Sequence, residues 1–98
     1  MSRPPTYAKK PDLSHGTIKA ALRWAGYYVV DTSHTGNGFP DLLVCGRQHD
    51  NRVMLMEIKT PGEGLNENEI IFHGNYPGPI CIVYDEQDAI DRMQAFDA

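Results

Sequence analysis

The chain has no run of eighteen apolar residues and no apolar segment behind its opening Met1-Ser2-Arg3-Pro4-Pro5-Thr6. A membrane span needs about 20 such residues, and an export signal needs a shorter apolar stretch after a basic start. A cytoplasmic protein without membrane contact is expected. Cysteine is scarce: Cys45 and Cys81 are the only two. Each falls inside an apolar strand pattern, where small buried thiols are common, so both are read as reduced core residues. Basic charge is short as well, with nine Lys and Arg against thirteen Asp and Glu and a formal net charge of -4. That balance argues against a generic nucleic-acid coat, whose affinity comes from neutralising phosphates.

What is present is one small core. Ninety-eight residues, 41% of them hydrophobic, make a single domain. A chain of this size buries only about 60-65% of the surface its unfolded form exposes. Association with a second copy would add burial, and a two-fold dimer is the commonest form of it.

Residues Met1 to Pro11 carry three prolines with Arg3, Lys9 and Lys10, and no repeating apolar face. They are read as a flexible basic arm, 1-11, ahead of one domain, 12-98. From Ser14 to Ala25 the apolar residues Ile18, Ala21, Leu22 and Ala25 recur at helical spacing, with Ser14 or Asp12 as cap and Gly26 as stop. Tyr27 to Val30 reads as a strand, Thr35 to Gly38 as a loop, and Leu42 to Cys45 and Val53 to Lys59 as two strands of an antiparallel hairpin. Asn66 with Glu69 three residues on has the form of a capping box for a second helix. Pro77-Gly78-Pro79 closes that helix, Ile80 to Tyr84 is an apolar strand suited to burial on both faces, and Glu86 to Phe96 is a last helix. The order helix, three strands, helix, strand, helix predicts an α/β fold: a mixed β-sheet flanked by helices.

Three charged residues interrupt this apolar pattern. Asp41 opens one strand in Gly38-Phe39-Pro40-Asp41-Leu42-Leu43-Val44, and Glu57 and Lys59 close the next in Met56-Glu57-Ile58-Lys59. Side chains alternate along a strand, so Glu57 and Lys59 share a face and Ile58 takes the other. Across an antiparallel pair, Asp41 would meet Glu57 at one sheet edge. Two like charges at about 4 Å and an effective dielectric near 20 repel by roughly 4 kcal/mol. Such a site protonates one carboxylate or binds a cation. Magnesium prefers carboxylates, carbonyls and retained waters, so Asp41, Glu57 and the carbonyl of Ile58 are the candidate metal ligands. Lys59 would orient water or stabilise charge on a phosphate. The plainer alternative is a Glu57-Lys59 ion pair at a strand edge with Asp41 as a turn residue.

In this set of residues the chain resembles the VRR-NUC family of the PD-(D/E)xK nuclease superfamily, specifically its small stand-alone, virus-type members. The resemblance runs from about Asp12 to Ala95 and includes the two charged segments, the start of the second helix from Leu65 to Phe72, and the strand Ile80 to Tyr84. It implies a restriction-endonuclease-like fold, a Mg2+ or Mn2+ cofactor, and a homodimer cutting branched DNA such as four-way junctions. A nickase, flap or restriction-like nuclease and a catalytically silent DNA-binding dimer are the alternatives. Two positions depart from the pattern. His15 stands where the family's first helix commonly offers Glu or Gln, and Glu69 stands where the second helix usually carries Gln. Both are candidate members of the active site, Glu69 either supporting Lys59 or only completing the capping box. The loop residues His34, Thr35, Gly36, Asn37 and Gly38, with Lys19 and Arg23 on one helix face, are the candidate DNA contacts.

Overall fold

The computed structural model describes residues 11-47 and 52-98, which form a small α/β domain of three helices and one four-stranded mixed sheet. The elements are α1 (Pro11–Trp24), β1 (Tyr28–Asp31), β2 (Leu42–Cys45), β3 (Val53–Ile58), α2 (Glu67–Asn75), β4 (Ile80–Val83) and α3 (Glu86–Asp97). The sheet runs in sequence order, with β1-β2 and β2-β3 antiparallel and β3-β4 parallel. A parallel pair needs a crossover, and α2 lies in that connection.

Pairing register fixes the two faces. Val29, Val44 and Met54 stand opposite one another, as do Asp31, Leu42, Met56 and Cys81. Their apolar members meet Ile18 and Leu22 of α1 and Ala89 and Met93 of α3 in one core cluster. The other face carries Glu57 and Lys59, and α2 reaches it through a contact from Glu69 to Lys59.

Several expected boundaries shift. The first helix begins at Pro11, so Asp12 and Ser14 lie within it and neither is its cap. Proline suits a first helical turn, where its missing N–H costs nothing. Pro11 therefore leaves the proposed arm, and the rest of that arm lies outside the described residues. Gly26 ends the segment as expected, with φ +97°. Tyr27 precedes the strand and is buried in the core. β4 alternates buried with half-buried residues, because it is an edge strand with α3 against it on the core side.

Arg23 and Lys19 serve the fold. Arg23 Nη2 donates to the Val29 carbonyl at 3.0 Å, on the outer edge of β1, and Lys19 Nζ meets Asp31 Oδ2 at 2.8 Å. A charged group on a free strand edge blocks pairing with another chain. No described helix is long and apolar enough to cross a membrane.

Candidate active site

The charged residues meet at the end of the sheet where β1 and β3 finish and β2 begins. Thr32 fixes the entry to β2: its N–H donates to the Asp41 carbonyl at 2.8 Å and its hydroxyl to the Pro40 carbonyl at 2.8 Å. The Asp41 side chain then turns across to β3, and Oδ2 accepts the Ile58 N–H at 2.8 Å.

That bond shows which way Ile58 faces. Lys59 N–H donates to Val83 on the β4 side at 3.0 Å, so alternation turns the N–H and carbonyl of Ile58 towards β2. Extending the register Leu42↔Met56 by two residues puts Pro40 opposite Ile58. Proline has no N–H to give. The Ile58 carbonyl therefore meets no ladder donor at the position beside Asp41.

Glu57 is 3% exposed, and no donor reaches its Oε1. Burial, followed by the charges of Asp41 and Glu69 and hydrogen bonding with both, pushes its carboxyl up to about 9. Lys59 Nζ lies 3.8 Å from Glu57, but Glu69 at 2.8 Å and Glu63 at 3.5 Å are nearer. The Glu57 contact becomes an ion pair only when that carboxyl ionises. Burial acts to lower the Lys59 pKa, but hydrogen bonding and charge from Glu69, with Glu63 and Glu57 behind it, outweigh burial and raise it. Lys59 is thus held as an ammonium.

Glu69 performs two tasks. Its Oε1 accepts the Asn66 N–H at 2.8 Å while Asn66 Oδ1 accepts the Glu69 N–H at 2.8 Å, which completes the expected capping box. Burial acts to raise its pKa, but Lys59 and the Asn66 N–H overcome this and hold it below the usual carboxylate range.

A cleft of about 560 Å³ opens over these groups. Asp41, Glu57, Ile58, Lys59 and Glu69 line it, and so does His15 from α1. His15 Nε2 is buried without a hydrogen-bond partner and lies 3.4 Å from Asp31 Oδ2. Asp31 also lines the cleft, although it is not among the candidate residues of the sequence. Lys19 holds it well below the ordinary carboxylate range, helped by the Ser33 hydroxyl at 2.6 Å and N–H at 2.9 Å. Asp31 ends an apolar strand just as Glu57 nearly does, so the same polar break marked it in the sequence. Ser33, Thr60 and Glu63 complete the wall; Glu63 Oε1 accepts from the Thr60 N–H at 2.9 Å.

The expected DNA contacts are distributed otherwise. His34, Thr35, Gly36 and Asn37 are exposed on a loop that does not line the cleft. Gly36, Asn37 and Gly38 all have left-handed φ, at +83°, +58° and +81°. Gly38 faces α2, and the charges of Lys19 and Arg23 are directed at Asp31 and Val29.

The arrangement suits a divalent cation at its acidic end. Asp41 and Glu57 supply two carboxylates, one with an unpartnered buried oxygen, and Ile58 supplies a carbonyl. Among the described residues no group of three or more His, Cys, Asp or Glu is placed to hold a metal. Two carboxylates and a carbonyl match Mg2+, which keeps several waters, better than an ion needing a full protein cage. No family model matches this chain, and neither does any curated protein or solved structure.

Proposed function

We propose that this protein is a Mg2+- or Mn2+-dependent endodeoxyribonuclease that hydrolyses phosphodiester bonds in branched DNA, with four-way junctions as the favoured substrate. The observation that carries the reading is the buried Glu57 Oε1, without a donor, beside Asp41 and within reach of a Lys59 ammonium. A structural ion pair would not require a second acid at Asp41. The strand order, with antiparallel β1-β2-β3 and parallel β4, also fits the restriction-endonuclease-like fold that the resemblance implies.

Asp41, Glu57 and the Ile58 carbonyl would hold the cation, which when bound supplies positive charge against the scissile phosphate and acidifies water. The carboxylates around Lys59, Glu69 first, raise its pKa, which favours an ammonium over a base in this reading. Its ammonium instead donates to a phosphoryl oxygen as negative charge develops there, a form of electrostatic stabilisation. Glu69 and Glu63 aim that ammonium. His15, next to Asp31, lines the same cleft and would contact the phosphate or its water.

A homodimer would give paired cuts in opposing strands, and the half-exposed Trp24 and well-exposed Tyr28 offer apolar contact area for it. The test is cleavage of labelled duplex, flap and four-way substrates with and without Mg2+. Junction cutting that needs the metal and is lost in Glu57→Gln supports the proposal. Equal cutting of duplex removes the junction preference, and no cutting of any substrate removes the nuclease reading.

A further inference from the structure

No residue of α2 is buried. A helix of this kind gains little from packing, so a few contacts decide where it sits. Besides the Glu69–Lys59 contact, the segment ahead of Asp41 supplies such contacts. Gly38 approaches α2 so closely that a Cβ there would overlap the Asn68 carbonyl and crowd the Glu69 nitrogen. Phe39 meets Phe72 edge to face, with centroids 5.1 Å apart at 68°, and Phe72 stacks on Tyr76 at 5.5 Å. Glu69 lies one turn before Phe72 and holds Lys59.

We infer that Gly38 and Phe39 are positioning residues, which set the place of α2 and through Glu69 the place of the Lys59 ammonium. The inference rests on the endonuclease reading and deepens it. It also gives Gly38 a different task from the DNA contact expected of it: close approach to a helix backbone, which only glycine permits at this φ. Gly38 to Asp41 then acts as one link, with α2 at one end and the carboxylate at the other. A reacting group misplaced by 1 Å loses about a hundredfold in rate, so this link bears directly on turnover.

The experiment uses the full chain with Phe39→Ala, Phe39→Leu, Phe72→Ala and Glu69→Ala, first without DNA or metal. The probe is an amine-reactive acetyl ester, and the rate of Lys59 acetylation is read by peptide mass spectrometry. Phe39→Ala and Phe72→Ala are expected to speed it about tenfold, and Phe39→Ala should add nothing in the Glu69→Ala background. Unchanged Lys59 reactivity, or an effect that adds fully to that of Glu69→Ala, overturns the inference. If Phe39→Ala fails to fold, Phe39→Leu removes the ring contact with Phe72 while leaving most of the apolar volume, and it is read in the same way. The second readout is cleavage, where kcat should fall roughly ten- to a hundredfold while KM and DNA affinity hold. A wild-type protein that cuts nothing defeats the endonuclease reading alone, since the acetylation rates still decide the positioning role.

Discussion

Glu69 Oε1 stands 2.8 Å from Lys59 Nζ, and the same oxygen accepts the N-cap N–H of Asn66 at 2.8 Å. Helix capping and the aiming of the ammonium therefore depend on one atom. The two tasks separate chemically. Glu69→Gln keeps an acceptor for both donors and loses only the charge, whereas Glu69→Ala loses the acceptor. The alanine variant is expected to lose about 1 kcal/mol of stability, as for a lost cap, and the glutamine variant less than half of that. Both should cut DNA more slowly, the glutamine variant by the smaller factor. Urea melts and single-turnover cleavage measure the two effects.

Glu57 is a cost to the metal-free fold. Its carboxyl is raised from an ordinary 4.5 to about 9, first by burial and then by the charges of Asp41 and Glu69. Between those values the folded protein holds a proton that the unfolded chain has released, so stability falls as pH rises through that window. Glu57→Gln removes the titration. In EDTA its Tm is expected to exceed that of the wild type by a margin that widens from pH 6 to pH 9, while cleavage is lost. A Tm difference that stays flat with pH would contradict the assignment. Mn2+ displaces the proton, so its stabilisation of the wild type should grow with pH over the same range.

How far the site was legible depends on what each residue answers to. Asp41, Glu57 and Lys59 were readable because a charge inside an apolar strand has few explanations, and alternation alone puts Glu57 and Lys59 on one face. Asp31 obeyed the same rule at the end of β1. The sequence does not single it out, because no second charge at spacing two accompanies it. Lys19 and Arg23 were not readable. Their partners, Asp31 and the Val29 carbonyl, are supplied by the packing of α1 against β1, and a four-residue spacing on a helix says nothing of that. The start of α1 is not legible for a related reason: the apolar spacing that marks a helix in the sequence starts at Ile18, while the helix starts at Pro11. α2 was found from its capping box, although its burial gave no support.

Asp31 supplies the opposite pH dependence to Glu57. The Lys19 hydrogen bond, then those from Ser33, hold its carboxyl below the ordinary carboxylate range. In acid the unfolded chain takes up the proton first. The stabilisation is therefore complete above the ordinary range and fades as pH falls through the folded value. Asp31→Asn is expected to cost about 1 kcal/mol at pH 7, since partial exposure screens the pair. The gap between the two proteins should close as pH drops below about 4. Thermal melts at pH 3 to 7 give the answer, and a constant gap would mean that Asp31 acts by packing and not by charge. The same substitution removes the carboxylate that lies 3.4 Å from His15 Nε2. A change in the pH profile of cleavage would then place His15 in the reaction.

Pro40 gives the sharpest separation of fold from chemistry. It is fully buried, lies two residues before Leu42, the partner of Met56, and has no N–H to donate. Pro40→Ala supplies an N–H there, which is expected to reach the Ile58 carbonyl and extend the β2-β3 ladder by one bond. A typical net hydrogen bond is worth about 1 kcal/mol, which offsets part of what the smaller buried side chain gives up. The fold should persist. The Ile58 carbonyl is then engaged within the sheet, so Mn2+ affinity is expected to fall ten- to a hundredfold, in the range for disturbed ligand support. Calorimetric titration of Mn2+ into wild type and Pro40→Ala measures this without DNA. Equal affinities would show that the carbonyl is not a ligand, which would leave Asp41 and Glu57 to hold the ion with water alone.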